Sequence, residues 1–153
     1  MLFRSEKRKK AIAVLASGAA KNYGGALRAL ETANKSGEPE AWHDLRKRIK
    51  YHRMHVNLLR RAWPGEMALR AEVADIAGEA LGDDHDLWAL EQLVSDHPAA
   101  IGDADEIAIL RACMAAQSQR LREDVRRIVK NLLKDDKKLV RSRLTALYRD
   151  ATK

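Results

Sequence analysis

Residues 42–55 read WHDLRKRIKYHRMH. Wound as an α-helix at about 100° per residue, they divide into two sides. His43, Arg46, Lys47, Lys50, Arg53 and the following Asn57 fall within roughly a 120° arc, while Leu45, Ile49, Val56 and Leu59 fall opposite. A helix that buries the apolar side therefore presents a row of cations and one imidazole to whatever lies across from it. Such a row repels itself at close range unless water and salt screen it or an anion occupies it. Spacing alone fits either case. Arg supplies a planar fork for phosphate oxygens and Lys a mobile point charge. Repeated at about one turn per step, they suit an extended, repeating anion.

The surroundings are helical in composition. Aromatic residues make up only 5% of the 153 residues and there are 3 prolines, which disfavours a sheet protein. The length predicts a single domain spanning residues 1–153. Charge is unevenly placed within the net +7: residues 1–62 carry 15 Lys/Arg against 5 Asp/Glu, residues 83–106 carry 8 acids and no Lys or Arg, and residues 107–153 carry 13 basic residues against 5 acids. If the two basic ends pack side by side they form one electropositive surface. No run approaches 18 apolar residues, so no membrane span is expected. A single cysteine, Cys113, excludes an internal disulfide framework and fits a reducing, cytoplasmic setting. The basic start followed by AIAVLASGAA weakly mimics a secretion signal. The stripe Ile12, Leu15, Ala19, Tyr23, Ala26, Leu30 continues well beyond it, so these residues read as a mature helix.

Stop signals divide the chain into an antiparallel bundle of about six helices. The first spans about Ser5–Asn34, with Gly24-Gly25 either weakening it or admitting a close neighbour. Pro39 starts the second, which runs to about Ala62, where Trp63-Pro64-Gly65 ends it. The third covers about Glu66–Leu81, with Met67, Val73, Ile76, Ala77 and Ala80 as apolar positions and Gly82 as its stop. Asp83 and Asp84 read as caps of a fourth helix reaching about Ser95. A loop follows through Gly102. Asp103 and Glu106 form a capping box for the fifth helix, which runs to about Lys134 on the stripe Ile107, Leu110, Met114, Gln117, Leu121, Val125, Ile128, Leu132. The last helix covers about Lys137–Asp150, with Leu139 or Val140, Leu144, Leu147 and Tyr148 inward. No strand pattern is found.

The spacing His43-x-x-Arg46-x-x-x-Lys50-x-x-Arg53 is followed by Leu81-Gly82-Asp83-Asp84-His85-Asp86-Leu87. Together these resemble the CHAD family, the conserved histidine α-helical domain. Its pattern is H-x-x-R-x-x-x-[KR]-x-x-R on one helix, then a helix ending in L-G and x-x-H-D-L. The likeness is best over Trp42–Leu93. It implies an all-helical fold of two similar four-helix halves that binds inorganic polyphosphate in a basic channel, as an accessory module often joined to a triphosphatase domain. The motif positions map onto His43, Arg46, Lys50 and Arg53, with Lys47 adding charge on the same face. Only one copy of the motif is present, and the order of elements resembles the C-terminal half. The chain then reads as a half-length form, a fragment, or one protomer of a homodimer that restores both halves.

Within the basic stretch 120–143, Arg127, Lys130, Lys134 and Arg141 are assigned to the anion-facing wall. Asp86 is placed to pair with a motif cation or to charge a helix start. His85 reads first as structural. His52 and His55 stand three apart, which permits a metal pair, but no third ligand is placed, so no metal or cofactor is expected. Cys113 reads as a small buried residue. No set of nucleophile, base and oxyanion donors is visible, so the chain reads as a binder and not an enzyme. Two other readings stay open: a histidine phosphotransfer bundle using His43, and a nucleic-acid binder using the basic ends. Stacking aromatics are scarce in those ends, which makes nucleic acid the poorer fit.

Overall fold

Alanine dominates the buried face of the first helix, and small side chains let neighbouring helices come close. In a computed structural model describing residues 2–60 and 63–151, with the backbone alone for 2–5 and 151, that helix is α1, Leu2–Ser36. Ala16, Ala19, Ala20, Ala26, Ala29 and Ala33 are all buried along it. Gly24 and Gly25 do not break it. They admit neighbours: a Cβ at Gly25 would stand 3.1 Å from the Arg48 guanidinium, and one at Gly24 would stand 2.9 Å from Lys137 Cδ. Gly37, with φ of +69°, makes the turn that ends α1.

Pro39 at the first helical position opens α2, Pro39–Leu59. The end placed at about Ala62 falls on residues 61 and 62, which lie outside the described residues. Trp42, Leu45, Ile49, His52 and Val56 are buried along α2, as the apolar side required. The fully buried Trp42, Leu45 and Ile49 each contribute on the order of 2 kcal/mol of burial.

The expected third and fourth helices are one element, α3, Pro64–Asp96. Gly82 does not stop it. A Cβ there would stand 3.4 Å from Arg46 Nη2, so the glycine serves close approach of α2 rather than termination. Asp83 and Asp84 consequently cap nothing, and Asp84 is buried at 4% exposure. The buried positions of α3 are Met67, Ala71, Ala74, Ala77, Leu81, Asp84 and Val94, whereas Ile76 is half exposed. Part of the expected loop forms a short turn of helix, α4, Pro98–Ile101. The capping box of α5, Ala104–Leu132, is present on both sides: Asp103 Oδ1 accepts from the Glu106 N–H at 2.9 Å, and Glu106 Oε2 accepts from the Asp103 N–H at 2.9 Å. The last helix, α6, is Lys137–Ala151. Cys113 is exposed, contrary to its reading as a buried residue, as is Gln117 on the same stripe. No strand occurs among the described residues.

Side-chain pairs fix the directions. Asn22 Nδ2 donates to the Arg48 carbonyl at 3.0 Å, Arg53 meets Asp75, and Glu91 meets Arg111. Successive long helices α1, α2, α3 and α5 therefore run antiparallel, and α6 packs on α1. Their shared core joins Tyr23, Ala26, Trp42, Leu45, Ile49, Ala77, Leu81, Val125 and Val129. Among the described residues the all-α bundle has six helices, differently divided than expected. No helix among the described residues is long and apolar enough to cross a membrane.

Candidate anion-binding groove

Because Trp42, Leu45 and Ile49 must face inward, the residues one position round the helix are carried to its outer seam with α3. Arg46, Lys50 and Arg53 line a groove there of about 290 Å³. Gly78 and Gly82 leave it open on the α3 side, and the Arg46 guanidinium lies over Gly82. Arg46 Nε is buried and has no hydrogen-bond partner among the described residues. Lys50 is exposed and makes no ion pair among the described residues. Arg53 Nε lies 2.5 Å from Asp75 Oδ1, both side chains being about half exposed. A pair at that exposure is worth about 0–1 kcal/mol, so an incoming anion can replace it at little cost.

The facing wall is acidic. Asp75, Glu79, Asp83 and Asp86 line the same groove from α3. Sequence reasoning missed this row because it placed a helix boundary at Gly82. Once α3 is continuous, the steps of four, four and three residues put all four acids on one face. Asp86 lines the groove with the motif cations, but its ion pair is with His85 Nδ1, at 3.6 Å, and no helix starts beside it.

His43 and Lys47 open elsewhere. They line a second hollow of about 320 Å³ at the start of α2, with Trp42, Leu81, Asp84, His85 and Trp88. The His43 ring lies 5.1 Å from that of His85, which lies 5.7 Å from Trp88. Burial, then the nearby Lys47, His85 and Arg46 charges, hold the His43 pKa below its ordinary value. His43 is therefore a neutral imidazole near pH 7, able to donate one N–H but adding no charge to the row. Its Nδ1 is buried without a partner.

Arg127, Lys130, Lys134 and Arg141 are exposed and line neither hollow. Arg127 pairs with Asp124 at 2.5 Å within its own helix. The α5 cations that do reach α2 are Arg122 and Arg126, whose guanidinium carbons stand 5.1 and 5.2 Å from the Trp42 ring centre. Both are held internally. Arg122 Nε donates to Asp84 at 3.0 Å and Arg122 Nη1 to the Gly37 carbonyl at 2.9 Å. Ser118 also donates to Asp84, and Arg126 Nε donates to Asn34 Oδ1 at 2.8 Å. No group of three or more metal-ligating side chains occurs among the described residues.

A family model described as the CHAD domain matches residues 2–95, which takes in α1, α2 and nearly all of α3. No curated protein and no solved structure matches the chain.

Proposed function

The chain belongs to the CHAD domain family, and from that premise we propose that it binds inorganic polyphosphate along the α2 row. The CHAD domain is associated with polyphosphate binding in general. The observation that carries the reading is the alignment of Arg46, Lys50 and Arg53 on one groove, with Arg46 Nε buried and unpartnered. Successive phosphates would take charge-assisted hydrogen bonds from these three, each worth about 1.5–3 kcal/mol. His43 would add a neutral N–H for phosphates that continue past Arg46 toward the start of α2. Bound phosphate would draw a proton onto that imidazole and raise its pKa.

The acidic wall qualifies the ligand. A bare polyanion meets three cations and four carboxylates in the groove. A polyphosphate carrying divalent cations pairs with both walls, its phosphates against α2 and its cations against α3. We read the chain as a binding module and not an enzyme, acting in the cytoplasm.

Calorimetry with long-chain polyphosphate tests this. Neutralising about three phosphates, binding should weaken roughly tenfold or more for a fourfold rise in sodium chloride. Magnesium should strengthen it. Binding that ignores salt, or no binding at low salt with magnesium present, would remove the reading.

A further inference from the structure

The anion groove runs on into a place of different character. α2 and α3 are antiparallel neighbours, and their contacts succeed one another along one seam: Arg53 against Asp75, Arg46 over Gly82, His43 against His85. The first two belong to the groove. The third opens the hollow of about 320 Å³ at the start of α2. There the wall is mostly apolar and aromatic. Pro39 and Leu81 line it, and the rings of His43, His85 and Trp88 stand in a row, 5.1 and 5.7 Å apart. Trp88 is 38% exposed and the His85 side chain 34%, so these rings keep surface open to a ligand. A hollow lined by rings, with a few polar groups at its rim, has the make-up of a site for a flat aromatic group.

The charged groups say what else that ligand carries. Asp84 is already held by Arg122 and Ser118. Lys47 and Glu40 remain, both exposed: one cation, and one acceptor for an amino group. Arg46 follows His43 by three residues, about 4.5 Å along the helix axis, and Lys50 lies about 6 Å further. One molecule can therefore place a ring in the hollow and a run of phosphates on Lys47, Arg46 and Lys50. Inorganic polyphosphate has nothing to put in such a hollow. A phosphate chain that ends in a nucleoside does.

We propose that the seam takes a nucleoside polyphosphate, its base stacked on Trp88 and His85 in the hollow and its phosphates on Lys47, Arg46 and Lys50. This rests on the α2 row being a phosphate site, and adds to it a ligand class that the row alone does not select.

Calorimetry on the full chain, at low salt with magnesium, compares ATP with inorganic tripolyphosphate, the same run of three phosphates without the nucleoside. Tripolyphosphate is the more highly charged, so charge alone favours it. ATP should nevertheless bind roughly tenfold tighter, the worth of stacking one base. Trp88→Ala, at an exposed position and shown helical by circular dichroism, should bring ATP down to the affinity of tripolyphosphate and leave tripolyphosphate itself unchanged. Trp88→Phe, which restores a ring, should keep most of the preference. If the alanine variant does not fold, the indole N–H signal of Trp88, assigned by its loss in Trp88→Phe, decides: ATP should shift it saturably and tripolyphosphate should not. Equal affinity for the two, tighter binding of tripolyphosphate, or a preference for ATP that survives Trp88→Ala would overturn the proposal. Binding of neither would overturn it as well. Long-chain polyphosphate measured alongside shows whether the phosphate row has failed with it or stands without the nucleoside site.

Discussion

The basic row of α2 and the basic stretch of α5 look alike as sequence and behave differently as structure. Both carry cations at one-turn steps. On α5, Arg122 is tied to Asp84 and to the Gly37 carbonyl, Arg126 to Asn34, and Arg127 to Asp124. Arg122 and Arg126 also cover Trp42. These side chains hold the bundle together. On α2, among the described residues, Arg46 keeps a buried unpartnered Nε, Lys50 has no ion pair, and Arg53 pairs with Asp75. Counting positive charges does not locate an anion site. What points to one is a set of cations that share a groove and are not already tied to partners inside the protein.

The largest expected effect sharpens that contrast from the α5 side. Arg122→Ala leaves the Asp84 carboxylate buried with Ser118 alone, and should cost about 3 kcal/mol of stability in chemical denaturation. Arg127→Ala should cost less than about 0.5 kcal/mol, because its pair with Asp124 is exposed. Equal losses would mean that pairing inside α5 does not distinguish the two.

The next effect concerns pH and the apolar side of α2. His52 has its pKa lowered to about 4, against an ordinary value near 6.5. Between those values the unfolded chain binds a proton that the folded chain refuses. Stability is therefore full above about pH 6.5 and falls as pH drops toward 4, by up to roughly 3 kcal/mol. His52→Phe should flatten most of that slope in denaturation curves taken across the window. His43 is also lowered, so it adds to the same decline in the same direction.

A smaller effect tests the groove itself. Asp75→Asn frees Arg53 from its half-exposed pair and removes one of the facing carboxylates. Polyphosphate affinity measured without magnesium should rise by a factor of about 2–5, with stability changed by less than about 1 kcal/mol. A fall in affinity would mean that Asp75 assists the ligand and does not compete with it.

Much of this was legible in the residues. The two sides of α2, the Pro39 start, the Asp103–Glu106 box and the buried Tyr23 all follow local rules, and local rules survive packing. The failures share one cause. Gly82 reads as a stop only when its neighbours are unseen; packed against Arg46 it is a contact point inside a continuous helix. That one boundary concealed the acidic row Asp75, Glu79, Asp83, Asp86 and turned Asp84 from a buried partner of Arg122 into a supposed cap. Ile107 and Met114 on the expected stripe of α5 are buried, but Cys113 and Gln117 are exposed. The choice of Arg127, Lys130, Lys134 and Arg141 rested on charge density, which says nothing about which cations share a groove.

The most direct measurement compares two double variants that remove the same charge. Arg46→Ala/Lys50→Ala and Arg127→Ala/Lys130→Ala each lower the net charge by two, and polyphosphate affinity is read by calorimetry at one salt concentration, with helicity checked by circular dichroism. The α2 variant should lose roughly a hundredfold in affinity, the worth of two charge-assisted bonds, and the α5 variant less than about threefold. Equal losses in the two variants, or a greater loss from α5, would contradict the placement of the ligand along α2.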